Sequence, residues 1–225
     1  MSFNIAIDGP AGAGKSTIAK AIARNLGFVY VDTGAMYRAI ALHLIRHAID
    51  PKDEEAVAEC LKTIEIRITY TNGEQQIILN NENVTKLLRE EEVGNMASNC
   101  GANPKVREKL LQLQRDLAEE NDVVMDGRDI GTTVLPNADV KIYLTATVEE
   151  RAHRRCSELI EKGEHPDYNK IEEDIRRRDE QDMCRSIAPL RQAEDAILVD
   201  SSQMTIPQVR DCIVDAFQKT MKFKG

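Results

Sequence analysis

The chain has 225 residues and a formal net charge of −8 at pH 7, from 30 lysines and arginines against 38 aspartates and glutamates. That length suits one domain that carries a modest insertion. The acidic balance excludes a general attraction to DNA, RNA or an acidic membrane, so any phosphate site must be local. With 42% hydrophobic residues the chain is also too apolar for a disordered protein.

Cysteine usage and the lack of long apolar segments indicate the compartment. Five cysteines lie far apart without a CxxC pair, and an odd number cannot all pair within one chain, so we expect reduced thiols. The first residues resemble no secretion signal, and no stretch approaches the roughly 20 apolar residues of a membrane span. We therefore expect a cytoplasmic protein with no membrane and no nucleic-acid partner.

The N-terminal part alternates strand and helix patterns. The apolar run from Phe3 to Ile7 stops at Asp8-Gly9, which indicates a buried strand that leads into a glycine loop. The apolar spacing then predicts a helix over 17–26, a strand over 28–31, a helix over 35–47 and a further helix ending at 61. Asp50 and Pro51 have the residue types of the N-cap and first position of that last helix.

The hydrophobic period changes to two after residue 63. Apolar residues occupy every second position from Ile64 to Tyr70, and Asn72-Gly73 then precedes a second apolar run. Asn-Gly between two such runs is typical of a tight β-turn. The pattern predicts a two-faced hairpin within a region, about residues 64–95, that is inserted into one α/β domain.

Strands and helices alternate again after Pro104. Buried strands are predicted over 123–125, 140–144 and 196–199, and such alternation is typical of a parallel α/β sheet. Thr147-x-x-Glu150 and Thr205-x-x-Gln208 match the capping box, which predicts that helices begin after the last two strands.

Residues 9–16 match GxxxxGK[ST] between a predicted strand and a predicted helix. Glycines let backbone N–H groups surround phosphate oxygens, and the helix N-terminus adds a positive dipole. Lys15 would reach the β- and γ-phosphates, and the hydroxyl of Ser16 would ligate Mg²⁺. The motif favours triphosphate binding over an ordinary glycine turn. The predicted binding residues are Gly9, Pro10, Ala11, Gly12, Ala13, Gly14, Lys15, Ser16 and Thr17.

Two other nucleotide-binding classes fit poorly. The glycines continue into Lys15-Ser16-Thr17 without a third glycine, which excludes the dinucleotide fingerprint. The guanine-reading NKxD element is missing, because residues 169–172 read NKIE. We interpret that near-match as the solvated start of a helix.

A second substrate site is indicated where strands end. Thr33 is predicted to cap a helix whose first turn carries Arg38, close to the carboxyl edge of the sheet where ligands of such folds bind. Asp126, Arg128 and Asp129 follow another buried strand at the same edge. This second segment is either a plain turn or an acidic strand end that holds Mg²⁺ directly or through water.

Arginines concentrate in two later segments. Steps of four and three place Arg178, Asp182 and Arg185 on one helix face. The same spacing groups Arg151, Arg154 and Arg155, just before a polar segment over 161–169 that could close as a lid. A charged helix face is more often a solvated ladder of ion pairs, and that interpretation stays for Arg176, Arg177 and Arg191.

Seven segments, in this order and over nearly the whole chain, resemble the bacterial cytidylate kinase family: GPAGAGKST, DTGAMYR, NENVTKLLREEEV, ASNCGANPKVREKLLQLQR, DGRDIGTTVLPNADVKIYL, ERAHRR and RRDEQDMCRSIAPL. The resemblance implies an α/β, three-layer P-loop nucleoside monophosphate kinase fold with a parallel central sheet. It also implies one domain over 1–225, with a monophosphate-binding region at about 34–103, inserted antiparallel strands at about 64–90 and a lid at about 154–170.

The implied reaction transfers the γ-phosphoryl group of ATP to CMP or dCMP, with Mg²⁺, in a monomer. Ser16 would bind the metal, and Asp126 would do so through water. The resemblance assigns cytosine recognition to Ser98, Arg107 and Asp129, with Thr33 nearby. It assigns the monophosphate to Arg38, Arg128 and Arg185, and the sugar and phosphate to Arg178 and Asp182. The implied catalytic residues are Lys15, Arg128, Arg178, Arg185, Arg154 and Arg155.

The chemistry agrees with these assignments, because a carboxylate, an arginine and a hydroxyl complement the amine donor and two ring acceptors of cytosine. Thr33 stands where the family commonly has Ser, and Leu88 where it has Ile. The alternatives are a kinase for UMP, AMP, a sugar or a shikimate-like acceptor, a non-catalytic nucleotide switch, and a nucleic-acid kinase, which the acidic charge disfavours.

Overall fold

The computed structural model describes residues 2–224, with the side chains of the last two excepted, as an alternation of strands and helices. The elements in chain order are β1 Asn4–Asp8, α1 Lys15–Leu26, β2 Val29–Asp32, α2 Thr33–Arg46, α3 Glu54–Lys62, β3 Ile66–Thr71, β4 Glu74–Leu79, β5 Glu82–Asn83, α4 Glu91–Cys100, α5 Pro104–Glu120, β6 Val123–Gly127, β7 Val140–Thr145, α6 Val148–Glu161, α7 Tyr168–Cys184, β8 Ile197–Asp200 and α8 Ile206–Lys224. A 3₁₀ turn covers Leu87–Arg89, and a π-helical turn covers Ile130–Val134.

The chain divides into two compact units, which are described separately. The P-loop unit consists of Phe3–Phe28 and residues 124–224, and the central unit consists of Val29–Val123 with Ser2. The P-loop unit contains the glycine loop, and the central unit contains the antiparallel strands.

The P-loop unit is built on a parallel sheet, as the sequence predicts. Its strands lie in the order β6, β1, β7, β8. β7 pairs in parallel with β1 on one side and with β8 on the other. The strand residues are fully buried at Ile5, Ile7 and Leu144, because apolar side chains fill both faces of a parallel sheet that helices cover.

Helices pack against the sheet of the P-loop unit and against each other. α1 packs against α8, and α6 packs against α7. The ring of Phe217 on α8 makes edge contacts with Phe3 and Phe28, with ring centroids 6.2 and 5.5 Å apart. The predicted capping box at Thr205 forms, because its N–H donates to the Gln208 side chain and its hydroxyl accepts from the N–H of Gln208. The one at Thr147 forms only in part: Thr147 Oγ1 accepts from the N–H of Glu150, but the N–H of Thr147 donates to Ser202 instead of the Glu150 side chain. These caps satisfy N–H groups that helix ends would otherwise leave unpaired.

The central unit contains the predicted hairpin. β3 and β4 pair antiparallel from Ile66↔Leu79 to Thr71↔Glu74, and β5 adds a short third strand. Asn72 and Gly73 both have positive φ, 54° and 75°, which is the conformation that a two-residue turn between twisted strands requires.

The hairpin is attached to β2 by polar contacts within the same unit. The Gln75 side chain accepts from the N–H of Asp32 at 2.8 Å and donates to its carbonyl at 3.3 Å. Tyr70 donates its hydroxyl to the Tyr30 carbonyl at 3.1 Å. Apolar side chains of α2, among them Met36, complete a core in which α2 packs on α4 and α3 on α5.

Two predicted helix caps are wrong. Asp53, not Asp50, caps α3 by accepting from the N–H of Ala56, because Asp50 is engaged in a turn and accepts from the N–H of Lys52. Asp32, not Thr33, caps α2 by accepting from Ala35 at 2.9 Å. In both cases an acceptor one to three residues away competes for the same role.

Candidate active site

The glycine loop joins β1 to α1 in a conformation that only glycine permits. A β-carbon at Gly9 would lie 1.9 Å from the carbonyl oxygen of Leu144, so the loop runs directly against β7. Gly14 is the N-cap of α1 with φ 84°, a left-handed conformation that costs other residues energy. The loop therefore packs against the end of β7 and leads into a helix N-terminus, which is the geometry of an anion site.

Lys15 begins α1 and folds back over the loop. Its Nζ donates to the Pro10 carbonyl at 2.8 Å, and the residue is 6% exposed. Burial lowers the pKa of Lys15 to about 7, and the charge of Arg128 acts in the same direction while nearby carboxylates oppose it. A phosphate anion in the loop would supply the partner that this desolvated ammonium group needs.

Ser16 and Asp126 bring two oxygen ligands together. Ser16 Oγ donates to Asp126 Oδ2 at 3.0 Å, and Asp126 is buried at the end of β6. Mg²⁺ prefers oxygen ligands and is usually held by one or two carboxylates together with waters and substrate phosphates. The pair fits that description. Across residues 2–224 no group of three or more His, Cys, Asp or Glu side chains forms a protein-only metal cage.

Asp8 fixes the segment that follows β6, a role that the sequence pattern does not predict. Its two carboxylate oxygens accept from the N–H groups of Ile130 and Gly131, each at 2.7 Å. Burial raises the pKa of Asp8 to about 6, although the two backbone donors act in the opposite direction. Ile130 and Gly131 are the first two residues of the π-helical turn, which begins directly after Asp129. Such turns are frequent at functional sites.

Four of the predicted acceptor-site residues form one cluster of two arginines and two carboxylates. Arg128 Nε donates to Asp182 Oδ2 at 2.7 Å, and Arg185 Nη1 lies 3.9 Å from Asp182 Oδ1. Arg185 Nη2 lies 3.6 Å from Asp129 Oδ1. The side chains of Asp182, Asp129 and Arg185 are all less than 10% exposed, so the cluster is a desolvated set of alternating charges.

One geometric prediction for this cluster is wrong. Arg185 does not share a helix face with Arg178, because α7 ends at Cys184 and Arg185 has the extended angles φ −64° and ψ 142°. Its Nε instead donates to the Ala188 carbonyl at 2.6 Å, which holds the guanidinium beside Asp129. Arg178 lies on α7 one turn before Asp182 and is half-buried.

The three arginines of α6 occupy different environments. Arg151 is 3% exposed and bonds to main-chain and carboxylate acceptors. Arg154 donates to Glu150 and to both the hydroxyl and the carbonyl of Ser201, and its Nη1 would lie 3.9 Å from a β-carbon at Gly14. Arg155 is paired with Glu158 on the surface. Of the three, Arg154 therefore combines partial exposure with a position beside the N-terminus of α1.

The central unit holds the remaining predicted substrate residues. Ser98 Oγ is buried and has no hydrogen-bond partner among the described residues, which is an uncommon state for a hydroxyl. Arg107 is buried, donates to the Gly101 carbonyl at 3.3 Å and lies 5.8 Å from the ring centroid of Tyr37. Thr33 is buried at the start of α2, and Arg38 lies in its second turn rather than its first.

The surface ion pairs of Arg176 and Arg177 confirm the solvated-face interpretation for these two residues. Arg176 pairs with Glu149 and Glu172, and Arg177 pairs with Asp174, all on the surface. Arg191 is exposed. The near-match to the guanine motif is the exposed first turn of α7, which Asp167 caps.

Among the helices described over residues 2–224, none combines the length and apolarity that crossing a bilayer demands.

Comparison with known proteins places this geometry in a family. A family model described as cytidylate kinase matches residues 5–219. A cytidylate kinase from Caldicellulosiruptor bescii is 49% identical over 220 residues, which cover 98% of this chain and 97% of that protein. A cytidylate kinase from Bacillus subtilis is 46% identical over 217 residues, 96% of this chain and 97% of that protein.

Solved structures share the architecture at low identity. A gluconokinase from Sinorhizobium meliloti superposes with a TM-score of 0.52 at 12% identity, covering 99% of this chain and 97% of its own. An uncharacterized protein from Eubacterium ventriosum superposes with a TM-score of 0.55 at 11% identity, covering 96% of this chain and 99% of its own. These likenesses concern the fold alone, and the predicted three-layer α/β fold is confirmed.

Proposed function

Because the chain belongs to the cytidylate kinase family, we propose that it transfers the γ-phosphoryl group of ATP to CMP and dCMP, forming CDP and dCDP. The observation that carries the proposal is that one unit contains both a phosphate-binding loop with a buried Lys15 and the cluster of Arg128, Asp182 and Arg185. The loop serves the donor, and the arginines serve the acceptor phosphate.

The protein contributes alignment and positive charge to this reaction. The nucleophile is a phosphate oxygen of CMP, and the second pKa of a phosphate monoester is about 6, so the oxygen is already ionised near neutral pH. No side chain has to remove a proton. Asp129, which is buried beside Arg185, therefore acts as a binding residue. Lys15 and the arginines stabilise the charge on the phosphoryl oxygens during transfer.

Magnesium completes the donor site in this proposal. Ser16 Oγ would ligate the ion directly, and Asp126 would do so through water. The bound ion would neutralise part of the phosphate charge. The buried position of Asp126 supports the indirect role, because a carboxylate that already accepts from Ser16 is well placed to order a water molecule.

Recognition of cytosine requires a carboxylate, an arginine and a hydroxyl that complement its donor and acceptors. We assign cytosine recognition to Ser98, Arg107 and Asp129, with Thr33 nearby. The buried Ser98 hydroxyl supports this assignment, because a bound base would satisfy a group that is otherwise without a partner among the described residues. Arg38 binds the monophosphate with Arg128 and Arg185, and Arg178 and Asp182 lie near the sugar and phosphate.

The lid, residues 154–170, contributes Arg154 and Arg155. In the described conformation these side chains pair with Ser201 and Glu158. We propose that they exchange these partners for donor phosphate oxygens when the lid closes. Closure would exclude water that competes with CMP for the phosphoryl group.

A panel of acceptors tests the proposal. With ATP and Mg²⁺ held constant, initial rates are measured for CMP, dCMP, UMP, AMP, shikimate and gluconate. CMP and dCMP are expected to give the highest kcat/KM, and the Lys15→Ala substitution should lower kcat/KM for every acceptor. A higher kcat/KM for UMP, AMP or either non-nucleotide would refute the assigned substrate. ATP binding without transfer to any acceptor would favour a nucleotide switch instead.

A further inference from the structure

Arg151 is the most deeply buried arginine of the two arginine-rich segments. It is 3% exposed, although it lies on α6 with the half-buried Arg154 and the exposed Arg155. Burying a guanidinium is costly unless its donors are paired. The hydrogen-bond partners of these donors therefore indicate the role of the residue.

The guanidinium of Arg151 joins three segments. Its Nε donates to the Ala146 carbonyl after β7 at 3.0 Å, and its Nη1 donates to the Ala11 carbonyl of the glycine loop at 2.9 Å. Its Nη2 donates to Asp179 Oδ2 on α7 at 2.6 Å. Each bond uses a different nitrogen, so the planar group fixes the loop relative to both a strand end and a helix.

Close packing reinforces this contact. A β-carbon at Gly12 would lie 3.4 Å from Cβ of Arg151, so the stem of the arginine lies directly against the loop. Asp179 is 8% exposed, and its second oxygen has no hydrogen-bond partner among residues 2–224. The bond to Arg151 is therefore the contact that compensates the burial of this carboxylate.

A phosphate-binding loop works only if its N–H groups face the anion and its carbonyls face away. A carbonyl that turned inward would repel a phosphate oxygen. We infer that Arg151, fixed by Asp179, is a positioning residue for the glycine loop, because it binds the Ala11 carbonyl on the side away from the phosphates. This inference rests on the proposed triphosphate site, and Arg151 itself is too buried to contact the nucleotide.

Inorganic tripolyphosphate, without divalent cations, is the probe, because it tests the loop independently of any acceptor. Arg151→Met keeps most of the apolar stem and removes all three donors. We expect its Kd for tripolyphosphate, measured by isothermal titration calorimetry, to rise at least tenfold. The matched control is Arg176→Met, which breaks exposed ion pairs of α7, one of them to α6, without touching the loop, and its Kd should stay within twofold of that of the wild type.

A kinetic measurement separates positioning from a loss of folded protein. Arg151→Met should raise KM for ATP more than KM for CMP, whereas unfolding of a fraction of the molecules lowers kcat and leaves both KM values unchanged. If Arg151→Met does not fold, Asp179→Asn decides, because it keeps an acceptor for Nη2 and removes only the charge. We expect it to weaken tripolyphosphate binding at least threefold.

Wild-type affinity for tripolyphosphate in either folded variant would overturn the inference. If the wild type itself does not bind tripolyphosphate, that result contradicts the inference, the triphosphate site and the proposed function alike. Loss of binding confined to the Arg151 and Asp179 variants would support the inference even if the acceptor panel shows that CMP is not the substrate.

Discussion

The buried carboxylate of Asp8 makes a quantitative prediction about stability and pH. Its pKa is raised from 3.8 to about 6, mainly by burial. A raised folded-state pKa means that the folded protein binds the proton more tightly than the unfolded chain does. The contribution of Asp8 to stability is therefore fully present below about pH 4 and is lost as the pH rises through about 6.

The magnitude follows from the size of the shift. Roughly two pKa units at about 1.4 kcal/mol each give about 3 kcal/mol between the two limits. About 2 kcal/mol of this falls between pH 4.5 and 7.5, where urea unfolding can be measured. Other titrating groups change the stability of the whole protein over the same range, so the quantity to compare is a difference between two variants.

Asp8→Asn supplies that comparison because the amide does not titrate. Free energies of unfolding are measured for the wild type and for Asp8→Asn at several pH values. The stability of the wild type relative to Asp8→Asn should fall by about 2 kcal/mol from pH 4.5 to pH 7.5. Glu119→Gln on the exposed face of α5 makes the same charge change without burial and serves as the control. A pH-independent difference between wild type and Asp8→Asn would refute the reasoning.

Three substitutions in the substrate sites and one at a helix cap have defined outcomes. Lys15→Ala should lower kcat/KM by on the order of 10³-fold, about 4 kcal/mol, which is the scale of a principal charge contact to the transition state; near-normal turnover would exclude the loop from catalysis. Arg185→Ala should lower kcat/KM for CMP while the Kd for ATP stays unchanged, and Arg177→Ala, on the exposed face of α7, should change neither. Ser98→Ala should raise KM for CMP by roughly tenfold, about 1.4 kcal/mol. Its free energy of unfolding should stay unchanged or rise slightly, because the hydroxyl that it removes is buried without a partner among the described residues. An unchanged KM would exclude Ser98 from the site. Asp53→Ala should lower the free energy of unfolding by about 1 kcal/mol and Asp50→Ala by clearly less, because Asp53 is the cap of α3; equal losses would restore the cap predicted at Asp50.

Local patterns predicted most of the fold, because their physics is local. The Asn72-Gly73 turn and the Thr147 cap depend on residues within four positions of each other, and both form as expected. The caps of α2 and α3 were misplaced because two acceptors compete in each case, and sequence alone does not show which one the preceding turn engages.

The candidate site could be predicted as a set of residues but not as a set of contacts. The spacing of Arg151, Arg154 and Arg155 places them together on a helix, yet burial of Arg151 depends on Asp179, 28 positions away. In the same way the role of Asp8 depends on N–H groups 122 and 123 positions along the chain. Helical spacing contains no information about such distant partners. The one available signal was chemical: a carboxylate at the end of a buried strand needs donors.

Carboxylates of α7 hold two of the arginines of the P-loop unit. Asp179 and Asp182 lie three residues apart, so they project from nearly the same face of the helix. Asp179 holds Arg151 against the glycine loop, and Asp182 holds Arg128 after β6. Buried arginines require carboxylate partners, since a bare cation would not stay desolvated. The carboxylates therefore keep the cations in place before any phosphate binds, and this leaves less side-chain ordering to occur on binding.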